Sequence, residues 1–316
     1  MLLLIQRLAS YTNTLMTSCP ICNSVSVMQH TIINTYVIKR CSHCNYIFVD
    51  PRPKQKEIDN YYKNFDYKDA DLSENRIRSD ARISLKFISK YIKSTDTLLD
   101  LGCGRGYFMD EAKNQGWNTE GIDYSNKIVA YAREKLKLNV IKSDIYKFTS
   151  KNKYQLITMN QVIEHVLDID KLLEKIVSLL EPGGFIYIAT PNIQSASARV
   201  FGNEFEYLIP PEHINYFSIE TLKKLLAKYN FRVLGASTWG YPENLAGIIK
   251  RILKPKKNER TLLSHSFPQK MLEQADNNNS IKYFLFDKMF CQNTYKLLDL
   301  INAGINLQLI AQTGIK

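Results

Sequence analysis

Residues 97–108 read TLLDLGCGRGYF, in which a short apolar strand, Thr97–Leu101, runs directly into a glycine-rich turn. The turn, 102–106, leads to a helix that the pattern predicts from Tyr107 to Gln115. Glycines allow the backbone to approach a ligand closely, and a helix N-terminus favours anionic or polar groups. The spacing is G-x-G-x-G rather than the dinucleotide pattern G-x-G-x-x-G, and no Walker lysine follows. The stretch therefore predicts a nucleotide-type binding site at the end of a strand in an α/β fold.

Two acidic residues follow, each at the end of a later strand. Asp123 ends the second strand, and Asp144 follows a third strand predicted near Leu138–Ile141. An acid at the tip of the second strand can accept hydrogen bonds from both hydroxyls of a ribose. Either acid also fits a plain turn or cap role. The glycine turn and the two acids, in this order, nevertheless indicate one binding site together.

These motifs resemble those of the class I S-adenosylmethionine (SAM)-dependent methyltransferases. The matching stretches are LLDLGCGRGYF (98–108), GIDYS (121–125), SDIYKF (143–148), YQLITMNQVIEHV (154–166) and LLEPGGFIYIATPN (179–192). The resemblance covers about residues 95–235 and is expected to continue to residue 316. It implies a Rossmann-like α/β fold, a seven-stranded methyltransferase sheet of order 3-2-1-4-5-7-6 whose last strand is antiparallel. The implied cofactor is SAM.

The resemblance also implies which residues bind the cofactor. They are Asp100, Gly102, Gly104, Gly106, Asp123, Asp144, Ile145 and Asn160. The three glycines would line the methionine and ribose part of SAM, and Asp100 would support its amino group, directly or through water. Asp123 would hold the ribose, and Asp144 with the backbone of Ile145 would address the adenine. Asn160 would face the methionine moiety.

Two histidines are candidates for the catalytic base that a hydroxyl nucleophile needs. Glu164-His165 follows the fourth strand, at the mouth of the predicted site, and imidazole titrates near the working pH. The pair occurs in the ubiquinone-pathway O-methyltransferases that the chain resembles, where an acid three residues earlier is linked to a divalent ion. Gln161 stands there in this chain, which argues against a second metal. The alternative for His165 is a structural role at a helix start.

The second histidine, His213, lies in the stretch PPEHINYFS after the fifth strand. The element P-x-H-x-x-x-F-S is similar to one in the same methyltransferases and in others that act on sugars. His213 is a candidate base or substrate ligand, and the alternative is loop packing. Ser218 is predicted to cap the helix that follows, with Thr221 in its first turn.

Two CxxC pairs near the N-terminus predict a metal site. Their cysteines are Cys19, Cys22, Cys41 and Cys44. Two such turns supply the four thiolates of a tetrahedral Zn²⁺ site, and four thiolates leave no open position for water, so the ion is expected to be structural. The intervening residues have strand character and fit a hairpin, which gives a small zinc ribbon. Unrelated reduced thiols and a redox pair are the alternatives.

Composition and charge limit the remaining possibilities. The chain of 316 residues is 45% hydrophobic, carries a formal charge of +11, and has no apolar run long enough to span a membrane. The six cysteines are too few for a disulfide scaffold. The basic balance suits an anionic partner without choosing between nucleic acid, membrane surface and phosphorylated substrate.

The predicted organisation has four parts. An N-terminal extension (1–16), in which Met16 competes with Met1 as the start, precedes the ribbon (17–53), a helical connector (54–95) and the methyltransferase domain (96–316). A helical insertion is expected at about 241–303. Its basic amphipathic segment, 245–260, either packs on the sheet, caps the active site or contacts a membrane surface.

The leading hypothesis is an enzyme that transfers a methyl group from SAM to a small-molecule, sugar or lipid-linked acceptor, with oxygen preferred as the acceptor atom. The first alternative is a sugar C-methyltransferase, because the stretch Cys41–Pro53 resembles the zinc knuckle of that group. An RNA-binding or RNA-modifying protein is an alternative of another class, and a SAM-binding scaffold without activity is a third. The expected location is cytoplasmic, with or without peripheral contact to the inner face of the membrane. Nucleic acid is the less favoured partner, and the sequence predicts no oligomeric state.

Overall fold

The computed structural model describes residues 18–58, 74–240 and 298–314. Its strands, numbered along the chain, are β1 (Val27–Ile33), β2 (Tyr36–Cys41), β3 (Ile47–Val49), β4 (Thr97–Leu101), β5 (Asn118–Asp123), β6 (Asn139–Lys142), β7 (Tyr154–Asn160), β8 (Leu180–Pro191), β9 (Asn215–Tyr216), β10 (Phe231–Trp239) and β11 (Asn306–Thr313). Its helices are α1 (Glu74–Ile88), α2 (Tyr107–Lys113), α3 (Asn126–Lys135), α4 (Ile169–Leu179), α5 (Ala196–Phe201) and α6 (Ile219–Lys228). Short 3₁₀ turns span Ile163–His165 and Gly202–Glu204.

Seven strands form the main sheet, in the order β10-β11-β8-β7-β4-β5-β6. Strands β6, β5, β4, β7 and β8 are parallel, whereas β11 is antiparallel to both β8 and β10. Numbered from the first strand of this sheet, the order is 3-2-1-4-5-7-6. The fold class, the strand order and the antiparallel last strand are therefore confirmed.

The apolar residues of β4 serve both faces of the sheet because side chains alternate along a strand. Leu99 and Leu101 pack in the cluster that includes α4 and α6, whereas Leu98 packs in the cluster that includes α1 and α2. Both faces of β4 are thus covered, as parallel sheets require. Ligands of such sheets bind outside the carboxyl ends of the strands, so the candidate site is expected where β4, β5 and β7 end.

Local signals predicted the starts of α6 and α2 correctly. Ser218 caps α6 by accepting a hydrogen bond from the Thr221 amide, and the Thr221 hydroxyl accepts one from the Ser218 amide, which forms the predicted capped start. Helix α2 begins at Tyr107 as predicted but ends at Lys113, two residues early. Gly116, with φ of +94°, accounts for the early end because it turns the chain toward β5.

A second, four-stranded sheet has the order β1-β2-β3-β9. Strands β1 and β2 form the hairpin predicted between the two CxxC pairs, and β3 pairs with β9 in the register Ile47↔Tyr216 and Phe48↔Asn215. The N-terminal module is therefore continuous, through backbone hydrogen bonds, with a strand that directly precedes α6.

Several expectations fall on other parts of the chain. The extension 1–16, the basic segment 245–260 and most of the insertion 241–303 lie outside the described residues. The domain limits stay predictions. Within the three described ranges, no helix combines the length and apolar character that a membrane span requires.

Candidate active site

The glycine turn between β4 and α2 adopts backbone conformations that suit glycine. Gly102, Gly104 and Gly106 have φ of +68°, +53° and +84°. A Cβ on Gly102 would lie 2.7 Å from Val162 Cγ2, so any side chain here would force Val162 to shift. A Cβ on Gly104 would meet no atom within 4 Å. The turn therefore leaves open space beside the backbone of Gly104.

Asp123, at the end of β5, holds the glycine turn from the neighbouring strand. Its Oδ2 accepts a hydrogen bond from the Gly104 amide at 3.0 Å, and its Oδ1 accepts one from the Ser125 amide at 2.9 Å. Burial raises the pKa of Asp123, and these amide hydrogen bonds oppose the rise. A carboxylate has about four lone-pair sites, so Asp123 can also accept hydrogen bonds from hydroxyl groups of a ligand.

Asp100 lies on β4, at the bottom of the same site, and is almost fully buried. Its Oδ1 accepts hydrogen bonds from Thr158 Oγ1 at 2.6 Å and from Asn160 Nδ2 at 3.5 Å. Burial is the main cause that raises the pKa of Asp100 to about 7. The two hydrogen bonds oppose the rise, and the charge of the nearby Asp123 adds to it. Asp100, Asp123 and Asn160 are thus brought together as expected.

Sequence reasoning missed Thr158, although a signal for it exists. Thr158 and Asn160 are two residues apart on β7 and therefore share a face. Thr158 also pairs in register with Asp100 on β4. Polar residues at alternate positions of a buried strand, next to a strand with a buried acid, would have indicated this contact.

Asp144 lies in the turn after β6 and uses one carboxylate oxygen locally. Its Oδ1 accepts a hydrogen bond from the Tyr146 amide at 2.8 Å, and its carbonyl accepts those of Lys147 and Phe148. Ser143 donates its amide to the Asp123 carbonyl at 3.0 Å, which ties this turn to the end of β5. Asp144 and Ile145 are therefore held beside Asp123 at the same edge of the sheet.

The 3₁₀ turn after β7 presents Glu164 and His165. His165 Nδ1 lies 2.8 Å from the carbonyl oxygen of Glu212, and a carbonyl can only accept, so Nδ1 carries the hydrogen. Glu164 is 1% exposed, and its Oε2 accepts a hydrogen bond from Thr190 Oγ1 at 2.9 Å. Its Oε1 accepts no hydrogen bond and lies 3.9 Å from His165 Nε2. Burial raises the pKa of Glu164.

His213 lies against His165, with ring centroids 4.7 Å apart. Its Nδ1 donates to the Tyr207 carbonyl at 2.9 Å, and burial lowers its pKa to about 3, so the ring is neutral. Glu164 and His213 also face a narrow recess with apolar walls from Pro191, Ile193 and Phe205. The structure thus brings the two predicted histidines together.

The two histidines and Glu164 have a spacing that could also hold a metal ion. One ring nitrogen of each histidine and a carboxylate oxygen lie within 4.8 Å of one another. Gln161, which replaces the acid expected in a second metal site, donates its amide to Asn306 Oδ1 at 3.4 Å.

The four predicted cysteine ligands converge in the N-terminal module. Their sulfur atoms lie within 4.8 Å of one another, with Cys19 Sγ 3.5 Å from Cys44 Sγ and Cys22 Sγ 3.6 Å from Cys41 Sγ. A tetrahedral Zn²⁺ with Zn–S bonds of about 2.3 Å places its sulfurs about 3.8 Å apart. The donor set and its dimensions therefore fit zinc.

Comparison with known proteins agrees with this geometry. A family profile described as "Methyltransferase domain" matches residues 72–236, slightly more than half of the chain. The chain belongs to this methyltransferase family. A ubiquinone biosynthesis O-methyltransferase of Pelagibacter ubique is 30% identical over 181 residues, which cover 55% of this chain and 72% of that enzyme.

Other relatives match a smaller part of their own length. The malonyl-[acyl-carrier protein] O-methyltransferase 2 of Ilyobacter polytropus is 28% identical over 46% of this methyltransferase and 59% of the relative. Among solved structures, a SAM dependent methyltransferase from Archaeoglobus fulgidus superposes with a TM-score of 0.51 at 22% identity. That match covers 80% of this chain and all of the other. The protein is a SAM-dependent methyltransferase.

The residues of the site fit SAM. The turn 102–106 offers open space beside Gly104, and Asp123 retains acceptor sites for hydroxyls at the adjacent strand end. Asp100 lies below them with an acidic group whose ionised form would complement an ammonium. An adenosyl group with a charged amino-acid tail matches this donor and acceptor set.

Proposed function

We propose that this methyltransferase methylates a hydroxyl oxygen of a small or lipid-linked acceptor, with His165 as the general base. When bound, SAM supplies a methyl group on a sulfonium, which is its own leaving group. The protein then has to orient the acceptor and take up the proton of its hydroxyl. The residues proposed to hold SAM are Asp100, Gly102, Gly104, Gly106, Asp123, Asp144, Ile145 and Asn160.

The observation that carries the proposal is the tautomer of His165. The Glu212 carbonyl fixes the hydrogen on Nδ1, so the lone pair is on Nε2. The Nε2 atom lies 3.9 Å from Glu164 Oε1, the carboxylate oxygen without a hydrogen bond. Burial raises the pKa of Glu164, and a positive charge on His165 lowers it, so a proton taken up at Nε2 and an ionised Glu164 would stabilise each other.

His213 is proposed to bind the acceptor rather than to take its proton. Its Nδ1 donates to the Tyr207 carbonyl, which leaves a lone pair at Nε2 as well. Because burial lowers its pKa to about 3, His213 is a poorer proton acceptor than an ordinary imidazole and a suitable neutral acceptor of a hydrogen bond. His213 would thereby orient a second polar group of the acceptor.

Two features support an acceptor with an apolar part. The narrow recess beside Glu164 and His213 has apolar walls from Pro191, Ile193 and Phe205, and Asn215 and Tyr216 complete its lining. The relatives named above are O-methyltransferases of ubiquinone biosynthesis and of malonyl-[acyl-carrier protein]. An oxygen atom on an apolar or carrier-linked molecule fits both names, and a hydroxyl is the acceptor for which a general base is needed. Contact of the segment 245–260 with a membrane, and a cytoplasmic location, stay predictions.

A radiolabel-transfer panel tests the acceptor class. The purified protein is incubated with [methyl-¹⁴C]SAM and, separately, an alkyl ester of dihydroxybenzoic acid, a nucleoside-diphosphate deoxysugar and total RNA. Label in the ester supports the proposal. Label in the sugar on carbon favours the sugar C-methyltransferase alternative, which the resemblance of Cys41–Pro53 motivates. Label in RNA alone would contradict both and favour an RNA-modifying enzyme.

Variants of single histidines test the base. His165→Gln should lower turnover of the labelled acceptor about 10²–10⁴-fold, the usual contribution of a general base. His30→Gln, which changes an exposed histidine of β1, is the matched control and should keep wild-type turnover. If His165→Gln retains more than half of the activity, His165 is not the base.

We also propose that Cys19, Cys22, Cys41 and Cys44 hold a structural Zn²⁺. Burial raises the pKa of the Cys19 and Cys44 thiols, and a cation among them would keep thiolates stable there. Metal analysis of the purified protein should find about one Zn²⁺ per chain. A protein free of zinc after purification without chelator would contradict the assignment.

A further inference from the structure

Asn215, on β9, binds the backbone of the turn that carries Glu164 and His165. Its Nδ2 lies 3.0 Å from the carbonyl of Ile163 and 2.7 Å from that of Val166, and 3.4 Å from the carbonyl of Glu164. Asn215 is 1% exposed, so water does not compete for these carbonyls. One side-chain amide thus holds the turn on both sides of the catalytic pair.

Tyr46 fixes which way round this amide stands. The Tyr46 hydroxyl donates to Asn215 Oδ1 at 2.6 Å, which leaves the Nδ2 hydrogens directed at the three carbonyls. In the flipped orientation the amide oxygen would face those carbonyl oxygens, and the hydroxyl would face an amide nitrogen. Buried acceptors without donors are costly, so the Tyr46 hydroxyl selects the orientation that holds the turn.

The position of Tyr46 depends in turn on the second cysteine knuckle. Cys41 donates its amide to the Tyr46 carbonyl at 2.9 Å, and the Tyr46 ring stacks on Phe48 with centroids 5.3 Å apart. Next to Asn215 in the chain, the Ile214 amide donates to the Glu164 carbonyl at 2.9 Å. The N-terminal module and the catalytic turn are therefore joined through two side chains and one strand.

We propose that Tyr46 and Asn215 are positioning residues for methyl transfer, which hold the turn 163–166 so that His165 keeps its hydrogen on Nδ1 and directs Nε2 toward the acceptor. The N-terminal four-cysteine module then contributes to the active site rather than serving as a separate attachment. This inference rests on the proposed role of His165, and its test uses a readout that does not depend on the acceptor.

The test follows the histidine rings by NMR in the full-length, zinc-loaded protein. Long-range ¹H–¹⁵N spectra report the tautomer of each of the five histidines, and single His→Gln variants assign them. In the wild type, His165 should show the Nδ1–H tautomer. Asn215→Ala should give His165 a mixture of tautomers, and the Ile214 amide should exchange with solvent about fivefold to tenfold faster.

Tyr46→Phe removes only a hydroxyl and should give a smaller change of the same kind. If Asn215→Ala fails to fold, the Tyr46→Phe spectrum tests the positioning role by itself. Tyr154→Phe is the matched control: it removes the hydroxyl of another buried tyrosine, which donates to Ser150 at the opposite end of β7. The control should leave the His165 spectrum unchanged.

Affinity for S-adenosylhomocysteine separates positioning from general damage. The Asn215 side chain donates hydrogen bonds to the turn 163–166 and not to the glycine turn 102–106. Asn215→Ala and Tyr46→Phe should therefore bind S-adenosylhomocysteine within about twofold of the wild type by calorimetry. If the folded variants keep a wild-type His165 spectrum, the inference is wrong even if His165 is the base. If His165→Gln keeps its activity, the proposed base is wrong even if the spectra change as expected.

Discussion

Replacement of Asp123 by alanine should remove two sets of hydrogen bonds from this site. One set is visible in the structure, because Asp123 accepts the amides of Gly104 and Ser125. The other set is the pair that its remaining lone pairs would accept from the ribose hydroxyls of SAM. Hydrogen bonds to a charged group contribute about 1.5–3 kcal/mol each. Loss of the ribose pair alone should therefore weaken SAM binding by about 3–6 kcal/mol, or roughly 10²–10⁴-fold.

Titration calorimetry with SAM measures this loss, and thermal unfolding without SAM measures the cost to the fold. Asp299→Ala is a matched control, since Asp299 also accepts a backbone amide, that of Thr238 at 2.8 Å, next to the edge strand β10. The control should lose stability while keeping SAM affinity. A wild-type dissociation constant for Asp123→Ala would refute the ribose role and with it the placement of SAM at this turn.

Three further predictions test other parts of the molecule. Burial raises the pKa of Asp100 to about 7, so the folded protein without SAM holds a proton there that the unfolded chain loses at lower pH. Its contribution to stability should fall as pH rises from about 4 to 7, whereas SAM affinity should rise through about pH 7, and calorimetry on Asp100→Asn should find neither dependence. Cys41→Ser, or chelation of the wild type, should release the zinc and lower the unfolding temperature seen by calorimetry, because metal binding stabilises the folded module; an unchanged temperature with the metal gone would contradict this. Gly121→Ala places a Cβ 2.4 Å from Met109 Sδ and 3.0 Å from Cys103 Cβ, and should lower the free energy of unfolding by about 1–3 kcal/mol in chemical denaturation; an unchanged value would contradict this.

The sequence contained enough to predict the main sheet and to place the proposed SAM-binding residues at its strand ends. The glycine turn and the acids Asp100 and Asp123 lie at the ends of adjacent strands. Each is within a few residues of its own strand, so the local sequence pattern is enough to predict its position. The resemblance supplied the strand order, including the antiparallel strand β11.

The acceptor side could be predicted only in part. His165 was a candidate because it follows the fourth strand, and His213 because it lies in the stretch PPEHINYFS. Nothing in the spacing placed their rings 4.7 Å apart. The contact between Tyr46 and Asn215 spans 169 positions of the chain, and Asn215 has no periodic partner that would reveal it. Such contacts result from how separate elements pack, which local patterns do not encode.

The strand β11 has a consequence for how this protein is made and handled. It lies between β8 and β10, so those two strands never touch each other directly. While the ribosome is still producing residues before Asn306, both strands have open edges that can pair with other chains. A fragment cut at the family limits, 72–236, would carry the same open edges permanently. We expect such a fragment to aggregate on expression, whereas addition of the distant C-terminal strand as a separate peptide should restore solubility.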